Sequence, residues 1–271
     1  MGWQETELGE LNAGIIRDAV DALSYLARYH RLEVRHLERV PDGPALLVGN
    51  HSAGLSIIDG LFLIEYYRQR GFDQPVFILA HDLVFHLEGL RRWMGAIGIL
   101  RAGPNKAREV LRAGHKLLVF PGGDREALRP FRQRRRVDLA GRTGWARLAI
   151  EEQVPVVPVV SAGAHEALLV LTQGRALARL LGLQRWFRID SFPAMLCLPW
   201  GLLVGPTCAL PYLPLPTKVT VEIGAPIAPL TVSDATDDRK RVIAELYARM
   251  EEAMQATAHR LYDERRWPVI G

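Results

Sequence analysis

Three short runs restrict the fold more than anything else in the chain: "ALLVG" at residues 45–49, "KLLVF" at 116–120 and "VPVVPVV" at 154–160. They are almost continuously apolar rather than alternating. A strand with one wet face alternates polar and apolar residues. A continuous run belongs to a strand covered on both faces, as in a parallel sheet with helices packed above and below. The intervening stretches fit helices: 61–70, 106–112 and 145–152 carry mixed polar and apolar residues at helical spacing. Shorter strands are expected at 32–37, 76–79 and 219–223, and a turn at Pro41-Asp42-Gly43-Pro44. The expected fold is therefore α/β, a mixed, largely parallel sheet flanked by helices. An amphipathic helix opens the chain, with Leu8, Leu11, Ile15, Ala19, Leu23 and Leu26 at helical intervals, and another closes it over 238–263. The first either packs on the core or lies on a membrane. No repeat, linker or composition shift divides the 271 residues, which are read as one domain.

The first of these strands runs into "NHSAGLSIIDG". A histidine, a serine and an acid at a strand end suit two chemistries. In one, Ser52 is a nucleophile on a tight turn, with Ala53 and Gly54 as the small neighbours such an elbow needs. Against it, only some 45 residues precede the site and no HGG-type oxyanion segment lies upstream. In the other, His51 is a general base that takes a proton from a bound alcohol, and Asp59 orients the imidazole.

A second site is expected in "KLLVFPGGDREALRPF". A strand ends at Phe120, Pro121 turns the chain, and Gly122-Gly123 would leave bare amides before a helix starting at Asp124. That is an anion or oxyanion nest, with Arg125 beside it.

Taken in order, Asn50-His51, then "FPGGDREAL", then Val154-Pro155-Val156-Val157-Pro158-Val159 resemble the glycerolipid and lysophospholipid acyltransferase superfamily over roughly 45–165. The FPGG form is similar to the branch of mono- and diacylglycerol acyltransferases. The resemblance implies an acyltransferase-like fold and a His–Asp dyad at His51 and Asp59. It implies substrate contacts from Gly122, Gly123, Arg125 and Glu126, and an acceptor-site arginine at Arg101 in "GILRAGPNKA". It implies an acyl thioester donor, acyl-CoA or an acyl carrier protein, and a lipid acceptor. No metal or redox cofactor is expected. One departure stands out: the family's usual spacing is H-x4-D, whereas position 56 is serine and the acid comes at 59. Eight helical residues would separate the two by about 12 Å, so residues 52–58 must fold back for a dyad to exist. If they do not, the chain is a catalytically silent lipid-binding protein.

The net charge of +4 suits an anionic partner such as coenzyme A or a membrane surface, and is too small to argue nucleic acid. Arg129, Arg132, Arg134, Arg135, Arg136 and Arg142 form a basic stretch against Asp138 alone, a candidate contact for lipid head groups or a phosphate. Residues 191–217 hold no charge, but six prolines rule out a straight spanning helix. That segment is expected to dip into lipid or line an acyl channel. His81, His86, His115 and His165 are read as structural or exposed. Cys197 and Cys208 have neither metal spacing nor a disulfide framework and suit a reducing compartment. The expected location is the cytoplasmic face of a membrane, peripheral or monotopic.

Overall fold

The structure is a computed structural model and describes residues 11–52, 57–80, 85, 88–183, 185, 191–205, 212–230 and 236–271. Its centre is a seven-stranded sheet among the described residues, in the order β1-β10-β6-β2-β5-β3-β4. The strands are β1 (Glu33–Arg35), β2 (Ala45–Gly49), β3 (Val76–Ala80), β4 (Ile99–Arg101), β5 (Lys116–Val119), β6 (Val156–Ala162) and β10 (Thr220–Ile223). All neighbours are parallel except β10 and β6. The mixed, largely parallel sheet expected from the apolar runs is therefore present.

Both faces are covered. On one side α1 (Ala13–Tyr29) and α2 (Phe62–Arg70) pack Ile16, Val20, Phe62 and Tyr66 against Ala45, Leu47, Leu118 and Val157. On the other, α4 (Pro104–Arg112), α6 (Gly144–Glu152) and the long α8 (Thr236–Asp263) pack Val110, Ala149, Leu246 and Met250 against Leu46, Val48, Leu117 and Val156. Alternate residues of one strand thus serve opposite cores, which is why β2 has no polar position and is buried along its length. α3 (Glu88–Ala96) leads into the edge strand β4.

The N-terminal helix packs on the core. Its buried stripe is Ile16, Val20, Ser24 and Ala27, with Leu23 and Leu26 beside it. That is one residue round from the stripe expected from sequence. Asn12 caps the helix, its side chain accepting from the Gly14 and Ile15 amides at 2.9 and 3.1 Å. Leu8 lies outside the described residues.

The charge-free segment contributes to a second, three-stranded antiparallel sheet, β7-β8-β9, with β7 (Leu169–Thr172), β8 (Ala194–Cys197) and β9 (Gly201–Val204). α7 (Arg175–Leu180) follows β7. No helix among the described residues is long and apolar enough to cross a membrane.

Candidate active site

β2, β5, β3, β4 and β6 run in one direction, so their carboxyl ends lie along one edge of the sheet. Ligands of open α/β sheets bind at such an edge. His51 stands just beyond β2, at its middle. Asn50 before it clamps the end of β2 to β6: its side chain donates to the Ser161 carbonyl at 3.0 Å and accepts the Ser161 amide at 2.7 Å.

The long spacing closes. His51 Nδ1 lies 3.0 Å from Asp59 Oδ2, and the same oxygen accepts the Ser52 amide at 2.6 Å. Asp59 sits on a short 3₁₀ turn, Ile58–Gly60, that leads into α2, and is 2% exposed. The chain therefore turns back and delivers the carboxylate from the start of the next helix. Residues 53–56 of the connection lie outside the described residues. With Nδ1–H donated to the carboxylate, the tautomer leaves Nε2 with its lone pair as the basic atom. The His51 side chain is 21% exposed, so a substrate can reach it.

The imidazole stacks on Phe120, at 5.0 Å between centroids and 28° between planes. Gly49 permits this, because a Cβ there would lie 2.6 Å from the Phe120 ring.

Behind His51 lie two buried ionisable side chains, Glu126 and Arg129. Glu126 Oε2 accepts the His51 amide at 2.8 Å and Oε1 accepts the Asp138 amide at 3.0 Å. Arg129 Nη1 donates to the His51 carbonyl at 2.7 Å and to the Glu126 carbonyl at 2.8 Å. Both peptide groups of His51 are thus held by ionisable side chains that are 0% and 3% exposed. Burial pushes the Glu126 carboxyl up to about 7, against the pull of Arg129 and of its two amide donors. His165, 0% exposed, donates Nε2–H to the Arg129 carbonyl at 2.7 Å. Burial and the nearby Arg129 charge hold it well below the usual histidine range, so it is neutral.

The second motif needs correcting. Gly123 does not offer a bare amide, since its N–H donates to the Phe120 carbonyl at 3.1 Å. Its φ of +53° explains the glycine. Gly122 makes room for Glu126: a Cβ there would strike the Glu126 side chain and the Asp138 carbonyl. The following helix, α5 (Gly123–Ala127), is only five residues long. Glu126, expected at the substrate, is instead wholly internal and grips the backbone of His51. Arg125 is partly exposed, with Nε donating to Asp138 at 3.1 Å. Arg101 is exposed at the end of β4, on the same edge as His51 and three strands away, roughly 14 Å.

The arginine stretch is not one solvated face. Arg129 is internal, and Arg134 pairs with the buried Glu166 at 3.0 Å. Arg135 pairs with Asp263 at 2.8 Å, and Arg142 donates to the Pro121 carbonyl at 3.0 Å. Only Arg132 and Arg136 point outward without an ion pair among the described residues. Phe120, Arg129 and His165 are site residues that sequence reading missed. The available signal was Glu126 and Arg129 three apart amid Ala127, Leu128 and Phe131, a charge pair in an apolar setting. Ser52 is 1% exposed and its hydroxyl has no partner, and so no activating base, among the described residues.

The fold and this site define an α/β/α enzyme with a histidine–carboxylate pair at the carboxyl edge of its sheet. A family model described as Acyltransferase matches residues 31–162. The chain is 31% identical over 257 residues to an uncharacterized protein of Mycobacterium tuberculosis, covering 94% of this chain and 68% of that protein. It is 30% identical over 142 residues to the DGAT1/2-independent enzyme synthesizing storage lipids of Mus musculus, covering 52% of this chain and 42% of that enzyme. The chain thus spans less than half the length of that mouse relative. Among solved structures, the 1-acyl-sn-glycerophosphate (LPA) acyltransferase PlsC of Thermotoga maritima is similar at a TM-score of 0.43 and 19% identity, over 88% of this chain and 78% of that one. The chain belongs to the glycerolipid acyltransferase superfamily and is an O-acyltransferase.

Proposed function

We propose that the protein transfers a fatty acyl group from an acyl thioester, acyl-CoA in the simplest case, to the hydroxyl of a lysophospholipid, an acylglycerol or a long-chain alcohol. The 3.0 Å contact between His51 Nδ1 and Asp59 Oδ2 carries this reading. Asp59 holds Nδ1–H, so Nε2 takes the hydroxyl proton as the acceptor oxygen attacks the thioester carbonyl carbon. The new C–O bond forms, the tetrahedral intermediate collapses, and the C–S bond breaks. The leaving thiolate recovers the proton from Nε2, giving an ester and a free thiol. Asp59 stabilises the imidazolium between these steps. Glu126 and Arg129 hold the His51 peptide groups and so set where Nε2 stands. No metal or redox cofactor takes part in the proposed reaction.

Arg101 and Arg125 suit the anionic part of the donor or acceptor, being partly or fully exposed on the histidine edge of the sheet. We assign the protein to the cytoplasmic face of a membrane as a peripheral or monotopic protein. The exposed apolar second sheet supports attachment to a membrane surface. A serine esterase is disfavoured by the buried, unpartnered Ser52 hydroxyl. The silent lipid-binding reading rested on the spacing, and His51 and Asp59 meet in spite of it.

The test incubates the protein with acyl-CoA and a mixed panel of lysophospholipids, acylglycerols and fatty alcohols, with products read by mass spectrometry. Ester formation that disappears in His51→Ala and persists in Ser52→Ala is expected. An acyl group trapped on Ser52, or release of free fatty acid only, overturns the proposal.

A further inference from the structure

The β7-β8-β9 sheet is apolar on both faces, which an ordinary surface sheet is not. Residues directly opposite in an antiparallel pair share a face. The inner row is Val170, Met195 and Leu203, in register and packed on the core. The next row is Leu169, Leu196 and Leu202, also in register, and it points outward. Leu196 is 41% exposed, Leu202 59% and Val204 54%. At the hairpin tip Leu198 is bridged to Leu213, and Leu198, Trp200 and Leu213 are all more than half exposed. A solvated antiparallel sheet carries polar residues on its outer face. Here that face is leucine, valine and alanine with Thr172 at one end, and Trp200 stands at the hairpin turn.

The charge in the sequence of this region is mostly positive. From Ala167 to Thr217 the sequence holds four arginines and a single acid, Asp190. Arg175 and Arg179 are exposed on α7, alongside exposed Leu177 and Leu180. The start of α7 is tied to the second sheet, as the Phe192 amide donates to the Gln173 carbonyl at 2.9 Å. Gln173 also reaches the active site, its side chain donating to the Arg125 carbonyl.

We infer that the outer face of β7-β8-β9, with α7, docks on a lipid bilayer bearing anionic head groups, the hairpin tip at Trp200 entering the interface and Arg175 and Arg179 contacting phosphates. This rests on the reading that the acceptor is drawn from a membrane, and it adds the surface by which the enzyme reaches it. An apolar face rimmed by arginines with almost no acid matches an anionic bilayer. A second copy of the same face would set guanidinium against guanidinium. Through Gln173 and Arg125 the docked face lies next to the histidine edge, so lipid taken up there has a short path to His51.

The experiment is co-sedimentation with phosphatidylcholine vesicles, with and without phosphatidylglycerol, using the full chain. Wild type should partition onto the phosphatidylglycerol vesicles. Leu202→Asp replaces an exposed side chain, so the fold is retained, and partition should fall at least about ten-fold. The Arg175→Gln/Arg179→Gln pair should lose about five-fold per charge on anionic vesicles and nothing on phosphatidylcholine alone. Unaltered vesicle binding by Leu202→Asp overturns the inference. So does a shift from dimer to monomer in that variant without change on vesicles, which would make the face a contact between copies. Binding involves no turnover, so the two readings fail separately. Vesicle binding that depends on Leu202 in a protein that makes no ester supports docking while sinking the proposed reaction. Full ester formation by Leu202→Asp on a vesicle-embedded acceptor sinks docking while supporting the reaction.

Discussion

Asp59→Asn separates the charge of the carboxylate from its shape. Asp59 Oδ2 accepts two N–H groups, from His51 and Ser52. The asparagine oxygen can take both if it occupies the same place. Its NH₂ then falls where Oδ1 lies, and Oδ1 has no partner among the described residues. A buried donor left unpaired costs about 1–3 kcal/mol of stability, a drop in melting temperature of several degrees. The opposite flip points NH₂ at two donors and forces the imidazole into the wrong tautomer. What the first arrangement loses is the charge. An imidazolium and a carboxylate about 4 Å apart attract by about 4 kcal/mol at an effective dielectric of about 20, and that attraction exists only while the histidine carries the substrate proton. Turnover should therefore fall about 10³-fold. KM for the acyl donor should hold, because Asp59 is only 2% exposed and meets no substrate. Steady-state kinetics with acyl-CoA and the acceptor found by mass spectrometry, beside a thermal melt, give both quantities. Adding Asp59→Asn to His51→Ala should lower the rate no further, since the two residues act as one unit. A kcat within about three-fold of wild type, with the fold intact, would refute the orienting role.

Other expectations follow from the same geometry. Glu126 titrates at about 7 in the fold against an ordinary 4.5, so its contribution to stability is complete below 4.5 and is lost as pH rises through 7. By pH 8 its ionisation costs about 3 kcal/mol. Glu126→Gln forfeits one amide bond at every pH but not that ionisation cost. Melts from pH 5 to 8 should show wild type's advantage over it shrinking as pH rises, and a constant gap would contradict the assignment. Arg129→Met removes the donors to the His51, Glu126, Gln133 and Arg134 carbonyls and should destabilise the fold by about 1–3 kcal/mol for each carbonyl left buried and unpaired, read by denaturant titration. Gly122→Ala drives a methyl into the Glu126 side chain and the Asp138 carbonyl. It should reduce turnover more than it raises KM, and unchanged kcat would show that Glu126 does not position His51. Ser52→Ala should keep most of the activity.

Much of the framework was legible because burial imposes a pattern on neighbouring residues. Leu46 to Val48 and Val156 to Val160 face cores on both sides, so no polar residue is tolerated there, and the period announces a covered parallel sheet. The site's position was legible too, since His51 follows the middle strand and parallel strands present their carboxyl ends together. The N-terminal stripe was displaced by one residue because α1 buries small residues, Ser24 and Ala27, against α2. Hydropathy alone favours the leucines beside them.

His51 and Asp59 are close enough in sequence to be proposed as partners from their types. What Glu126 and Arg129 do depends on a strand pairing. They are 75 and 78 residues from His51, and the parallel register of β2 with β5 sets the end of one motif against the start of the other. In sequence a glutamate after two glycines resembles a substrate ligand, and an arginine before more arginines resembles a surface charge. Burial reverses both readings, because a polar group taken out of water must find partners, and both find theirs in backbone groups, those of His51 among them. The chain order alone determined a covered parallel sheet and a histidine at its carboxyl edge. Tertiary packing decided that the distant acid meets that histidine, that the buried Glu126 and Arg129 side chains grip its backbone, and that the second sheet turns its leucines outward, since each depends on how separate elements pack.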